Sequence, residues 1–238
     1  MQTTLAQFRE TKSEEAFALQ NSKLLKVRLS ASGTIQAKAG SMVAYQGDVG
    51  FEHAGSGGLG RMLKKAVSGE GTTLMRLAGE GEVFLADQAQ EIHLLYLEDD
   101  FITVNGRSLL AFDADIDWDI KRVSGGSSAM MAGGLFNMEL RGTGWVAILS
   151  DGPPVLLNVA EAATFADAQA AITWSSGVTT GIKTDVNLKT LIGRGSGESV
   201  QMSFAGQGWV LVQPSEGQVQ AATTQGSGGG GLGGLLNQ

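Results

Sequence analysis

Three segments of the chain share one pattern: LMRLAGEGEVFLA (residues 74–86), NMELRGTGWVAIL (137–149) and QMSFAGQGWVLVQ (201–213). Each sets a methionine shortly before a G-x-G and a valine with further apolar residues just after it. The first glycines, Gly79, Gly142 and Gly206, are spaced by 63 and 64 residues, a regularity that marks one supersecondary unit used three times. Alternation before each G-x-G predicts a strand, the glycines predict a bend or bulge, and the run that follows predicts a second strand. The register places Met75, Leu77, Val83, Leu85, Met138, Leu140, Val146, Ile148, Met202, Phe204, Val210 and Val212 toward the core.

A weaker second pattern runs through TIQAKAGSMVAY (34–45), SLLAFDADIDWDI (108–120) and ATFADAQAAITW (163–174), each ending near an aromatic residue. These follow short apolar strands, VRL at Val27, FITV at Phe101 and VLLNV at Val155. Three two-part repeats result, so the expected fold is mostly β, with pseudo-threefold repeated antiparallel sheets and few short helices. EDD, SDGPP and VNG read as hairpin turns, and helix is expected from Leu5 to Leu19. One β-rich domain spans residues 1–225, followed by a flexible glycine-dominated tail over 226–238.

Composition agrees with that architecture. The 35 glycines lack a three-residue period and fall between alternating apolar segments, which excludes collagen and favours turns and bulges. A net charge of -7 with no basic arm disfavours non-specific nucleic-acid binding, which needs a concentrated cationic surface. With no cysteine, thiolate catalysis, disulfides and cysteine metal sites are excluded. The first residues carry no secretory pattern, and no apolar run is long enough to span a bilayer, so the expected location is cytoplasmic.

Candidate sites are few. GSGGLG at 55–60 satisfies G-x-G-x-x-G, but so does the tail at 226–231, and neither a βαβ setting nor the G-K-[ST] of a phosphate loop follows. Behind it, Leu59, Met62, Leu63 and Val67 recur on one helical face, with Arg61, Lys64 and Lys65 on the other. A helix of that length covers about 14 Å and needs support from its own sheet, another subunit or a membrane surface. In FDADIDWDI, strict alternation puts Asp113, Asp115, Asp117 and Asp119 on one strand face, about 6.6 Å apart along the strand. Such a face is either solvated or holds a divalent cation, without the EF-hand pattern. His93 reads as a strand-face residue, and His53 as the more exposed candidate base. Trp145 and Trp209 occupy one repeat position, where Glu82 stands in the first copy, and read as packing corners.

GGLGRMLKKAVSGEGTTLMRLAGEGEVFLAD (57–87), with SMVAYQGDV and the glycine-leucine tail, resembles the mitochondrial-biogenesis (altered inheritance of mitochondria) family along nearly the whole chain. That resemblance implies a bacterial, cytoplasmic branch and a β fold similar to the tryptophan RNA-binding attenuation protein. It brings no catalytic residues to map. The functional expectation is a non-enzymatic protein acting as a homo-oligomer or through a protein partner, with no cofactor, nucleic acid or membrane contact. Metal or small-molecule chemistry on the acidic face, and membrane organisation through 61–67, are the competing readings.

Overall fold

A computed structural model of the chain describes residues 4–53, 73–122, 136–183 and 201–215. After β1 (Phe17–Asn21), the first repeat comprises β2 (Leu24–Arg28), β3 (Ile35–Lys38), β4 (Met42–His53) and β5 (Leu74–Leu85), with a one-turn helix α1 (Leu29–Ser32) after β2. The second comprises β6 (Glu91–Asn105), β7 (Leu109–Asp113), β8 (Asp117–Arg122) and β9 (Phe136–Ser150). In the third the long strands are divided into β10 (Val155–Asn158), β11 (Thr164–Asp167), β12 (Ala171–Ser175), β13 (Val178–Lys183), β14 (Gln201–Gly206) and β15 (Trp209–Val212). All pairing is antiparallel, in one sheet of 12 strands and one of 3.

The repeat is visible in the pairing. Leu77, Leu140 and Phe204, each two residues before the first glycine, lie between Ile35 and Phe51, Ile102 and Trp118, and Thr164 and Thr180. Val83, Val146 and Val210, each two residues after the second glycine, lie between Val27 and Tyr45, Leu95 and Phe112, and Leu157 and Trp174. The register also shifts at one matching place in each repeat, around Val43, Leu110 and Ile172. Glycine is required at the central bend because Gly79, Gly142 and Gly206 have φ of +130°, +134° and +115°, which side chains with a Cβ rarely adopt.

Repeats join through one recurring contact. In the first junction Gln36 of β3 pairs with Phe112 of β7, and in the second Thr103 of β6 pairs with Trp174 of β12. The cores follow these junctions: β7 sends Leu110 into a cluster with Val27, Ile35 and Leu77, and Leu109 and Phe112 into another with Leu140 and Ile172. Of the twelve residues expected to face the core, Val212 is half-buried and the other eleven are buried. The alternation expected before G-x-G is observed, whereas after it Phe84, Ala147 and Leu149 are buried as well, so in the first two repeats that run is enclosed on both faces.

Several expectations are corrected. The span from Leu5 to Leu19 is not a helix: one 3-10 turn covers Leu5–Phe8, and β1 begins at Phe17. The segment between them is held extended by hydrogen bonds, with the Thr11 amide donating to Gln20 Oε1 at 2.6 Å and Gln20 Nε2 donating to the Arg9 carbonyl at 3.0 Å. EDD is not a hairpin turn but an irregularity inside β6, where Asp99 takes φ +51° and the pairing shifts between Leu97 and Asp100. FITV is not the counterpart of VRL; by pairing it matches IQAK of β3, and LLAF of β7 matches MVAY of β4. The second half-unit was thus one strand out of step, because β6 fuses two strands that the third repeat keeps separate.

FDADIDWDI is not one strand either. Burial of Ile116 turns the chain between β7 and β8, with the Ala114 amide donating to the Thr34 carbonyl at 2.9 Å and the Ile116 amide to the Asp113 carbonyl at 3.1 Å. Asp113 and Asp117 consequently belong to different strands.

Candidate functional site

Three large apolar side chains stay exposed on β4. Val43 and Tyr45 are 60% and 50% exposed, whereas their repeat counterparts are enclosed: Leu110 and Phe112 at 0%, Ile172 and Trp174 at 0% and 4%. Chemistry does not explain the contrast, since all six are large and apolar. Position accounts for Val43: Leu110 and Ile172 pack into the core of the preceding repeat, whereas β4, in the first repeat, has β5 on one side and, among the described residues, no strand on the other. Phe51 extends the patch, its ring meeting Tyr45 edge to face at 6.0 Å. An exposed strand edge with large apolar side chains is a template for pairing with another chain.

The four aspartates do not form a ligand set. Asp113 is a structural acceptor: Oδ2 takes the Trp145 amide at 2.7 Å and Oδ1 takes the Ser32 hydroxyl, tying α1, β7 and β9 together. In the third repeat Ser175 stands at the corresponding position, and its Oγ accepts the Trp209 amide at 3.0 Å. The bracket after the second glycine is thus a repeat feature, and the tryptophans follow it. Asp115 and Asp117 are exposed, and Asp119 pairs with Lys121 at 3.5 Å. Among the described residues no group of three or more His, Asp or Glu side chains converges as a metal site. Trp145 is a packing corner as expected, stacked on Phe17 at 6.3 Å and against Tyr96 at 5.1 Å.

Asp113→Ala is expected to lower stability by about 1–3 kcal/mol, because the Trp145 amide loses its acceptor in a partly buried site. Asp113→Asn keeps an oxygen for that amide and is expected to lose much less. Denaturant titration of both variants checks the difference, and equal losses would show that the carboxylate charge, rather than its acceptor, holds the bracket.

His93 does occupy a strand face, on β6. Its Nε2 lies 2.8 Å from Ser150 Oγ, which donates its own proton to the Gly152 carbonyl at 2.7 Å. With that hydroxyl proton committed, the imidazole Nε2 carries the hydrogen and donates to Ser150, the reverse of a base activating a nucleophile. Burial pushes the His93 pKa down, against a smaller opposing pull from Glu91, so the neutral ring is favoured. His53 ends β4 by pairing with Met75.

Lys26, buried in β2, is the most enclosed charge on its sheet. Its ammonium binds the Glu10 carboxylate, Glu82 at 2.8 Å and the Thr11 carbonyl at 3.3 Å. Burial alone would depress its pKa, but the hydrogen bonds to Glu10 and Glu82 outweigh that and leave it raised, while the bond from Lys26 lowers Glu10. This cluster straps the N-terminal segment across β2, a structural task with its donors already used.

Leu59, Arg61, Met62, Leu63, Lys64, Lys65 and Val67, the expected interface or membrane-surface segment, lie outside the described residues, as does the tail over 226–238. No described helix is long and apolar enough to cross a membrane. Sequence reasoning missed Val43, Tyr45 and Phe51. Their signal was available in part, since Tyr45 closes the same half-unit as Trp174, but equal patterns conceal that β4 has, among the described residues, a strand on one side only.

Comparison with known proteins agrees with this architecture. No curated protein matches the sequence. A crystal structure of a Streptococcus pyogenes protein from a structural-genomics programme superposes with a TM-score of 0.66 at 24% identity, covering 83% of this chain and 91% of that one. This likeness carries the antiparallel β fold and does not extend to the attenuation-protein likeness implied by the resemblance. The family model described as mitochondrial biogenesis AIM24 matches residues 17–215, a span that contains all three repeats, and the chain belongs to that family.

Proposed function

We propose that this protein is a non-enzymatic assembly unit that works in the cytoplasm through homo-oligomerisation of its β domain. The observation that carries this reading is strand β4, unpaired on one edge among the described residues, on which Val43 and Tyr45 stay exposed although matching positions in the other repeats bury large apolar side chains, with Phe51 exposed beside them. Burying such side chains contributes about 1.5–3 kcal/mol each relative to exposure, enough for a few of them to drive association. Electrostatic pairing is not needed for it, and Asp113, His93 and Lys26 are each engaged in structural hydrogen bonds. Light scattering across a concentration series is expected to give a mass of several chains. A mass of one chain throughout that range would overturn the reading.

A further inference from the structure

We propose that the bare edge of β4 is covered by β11 of a second copy of this chain, in the register that already joins the three repeats to one another. The proposal rests on the self-association reading above and assigns its geometry. Two internal junctions supply the template. In each, a short strand of one repeat lies antiparallel to the bulged strand of the next: Gln36 opposite Phe112 with Ala37 opposite Ala111, and Thr103 opposite Trp174 with Val104 opposite Thr173. In the third repeat β11 occupies the place of β3 and of the second half of β6, since Thr164 faces Phe204 as Ile35 faces Leu77 and Ile102 faces Leu140. The strand that would follow it in the series is β4.

Carrying the register forward aligns Phe165 with Tyr45 and Ala166 with Ala44. A second copy arriving this way covers Val43 as the first repeat covers Leu110, which is fully enclosed with Val27, Ile35 and Leu77, and sets Phe165 beside Tyr45. The irregularity at Val43 is no obstacle, because β7 and β12 carry the same one and still pair beyond it. Two different surfaces meet, so the contact is heterologous and extends to a ring or a filament of chains rather than to a twofold dimer.

The chain has no cysteine, so introduced thiols report without background. Facing residues of an antiparallel pair have Cα atoms about 4.5–5.5 Å apart, within disulfide reach. Chains carrying Ala44→Cys and chains carrying Ala166→Cys, co-expressed and mildly oxidised, are expected to give a mixed disulfide dimer, with each variant alone remaining uncrosslinked. Val43→Glu combined with Tyr45→Glu is expected to reduce the assembly to single chains while circular dichroism retains the β spectrum. If the unaltered chain has a multi-chain mass but the mixed disulfide fails to form, this register is overturned and the self-association reading stands. Crosslinking of Ala44→Cys alone would likewise overturn it in favour of a β4 to β4 contact. A single-chain mass for the unaltered protein would end both.

Discussion

Gly79→Ala is expected to destabilise the protein by about 2–6 kcal/mol, through two separable penalties of about 1–3 kcal/mol each. The backbone at Gly79 has φ +130°, where a residue with Cβ is strained. Space is the second penalty: an added Cβ would sit 2.3 Å from the Asp48 carbonyl oxygen, and that oxygen belongs to the paired strand β4 and cannot swing aside. Gly206→Ala should behave alike, with its Cβ 2.3 Å from the Gly177 carbonyl and φ +115°. Gly142 separates the two penalties. Its φ of +134° is equally strained, but the nearest atom to a new Cβ is 3.8 Å away, so Gly142→Ala is expected to cost about 1–3 kcal/mol, the strain alone. Urea denaturation of the three variants measures the order, and a Gly142 variant as damaged as Gly79 would show that conformation, not crowding, dominates at the bend.

Phe112→Ala is expected to cost about 3–5 kcal/mol, the range for emptying a large aromatic site in a packed core. The ring is wholly enclosed, in the cluster with Leu109, Val146 and Ile172. Tyr45→Ala removes the counterpart ring one repeat earlier and is expected to cost the isolated chain about 1 kcal/mol or less, essentially its edge-to-face contact with Phe51. Protein concentration distinguishes the two sites further. Association stabilises a folded chain by mass action, so the Tyr45→Ala deficit in melting temperature should grow as concentration rises, while that of Phe112→Ala should stay constant. A concentration-independent Tyr45 deficit would mean that β4 is not covered in solution.

Both predictions turn on what a strand has beside it, and this divides what could be read from the chain from what could not. The spacing of Gly79, Gly142 and Gly206 was sufficient to identify three copies of one β unit, and alternation around them was sufficient to orient Met75, Leu77, Val146 and Phe204 inward. These are local properties: a period of two fixes which face a residue takes, and a strained bend selects glycine wherever it recurs. FDADIDWDI misled for the complementary reason. Its alternation is real, but burial of Ile116 between β7 and β8 gained more than a continuous acidic face would, so Asp113 became a bracket for Trp145 instead of a neighbour to Asp117.

The candidate surface was less legible still. MVAY, LLAF and AITW have the same apolar character and the same place in their repeats, yet two are core and one is bare. The sequence by itself determined the unit, its number of copies and the inward register, because those depend on residues within a few positions of one another. Tertiary structure alone decided that Val43 is exposed while Leu110 and Ile172 are enclosed, because their burial depends on which distant strand lies alongside, and among the described residues β4 has β5 on one side and none on the other.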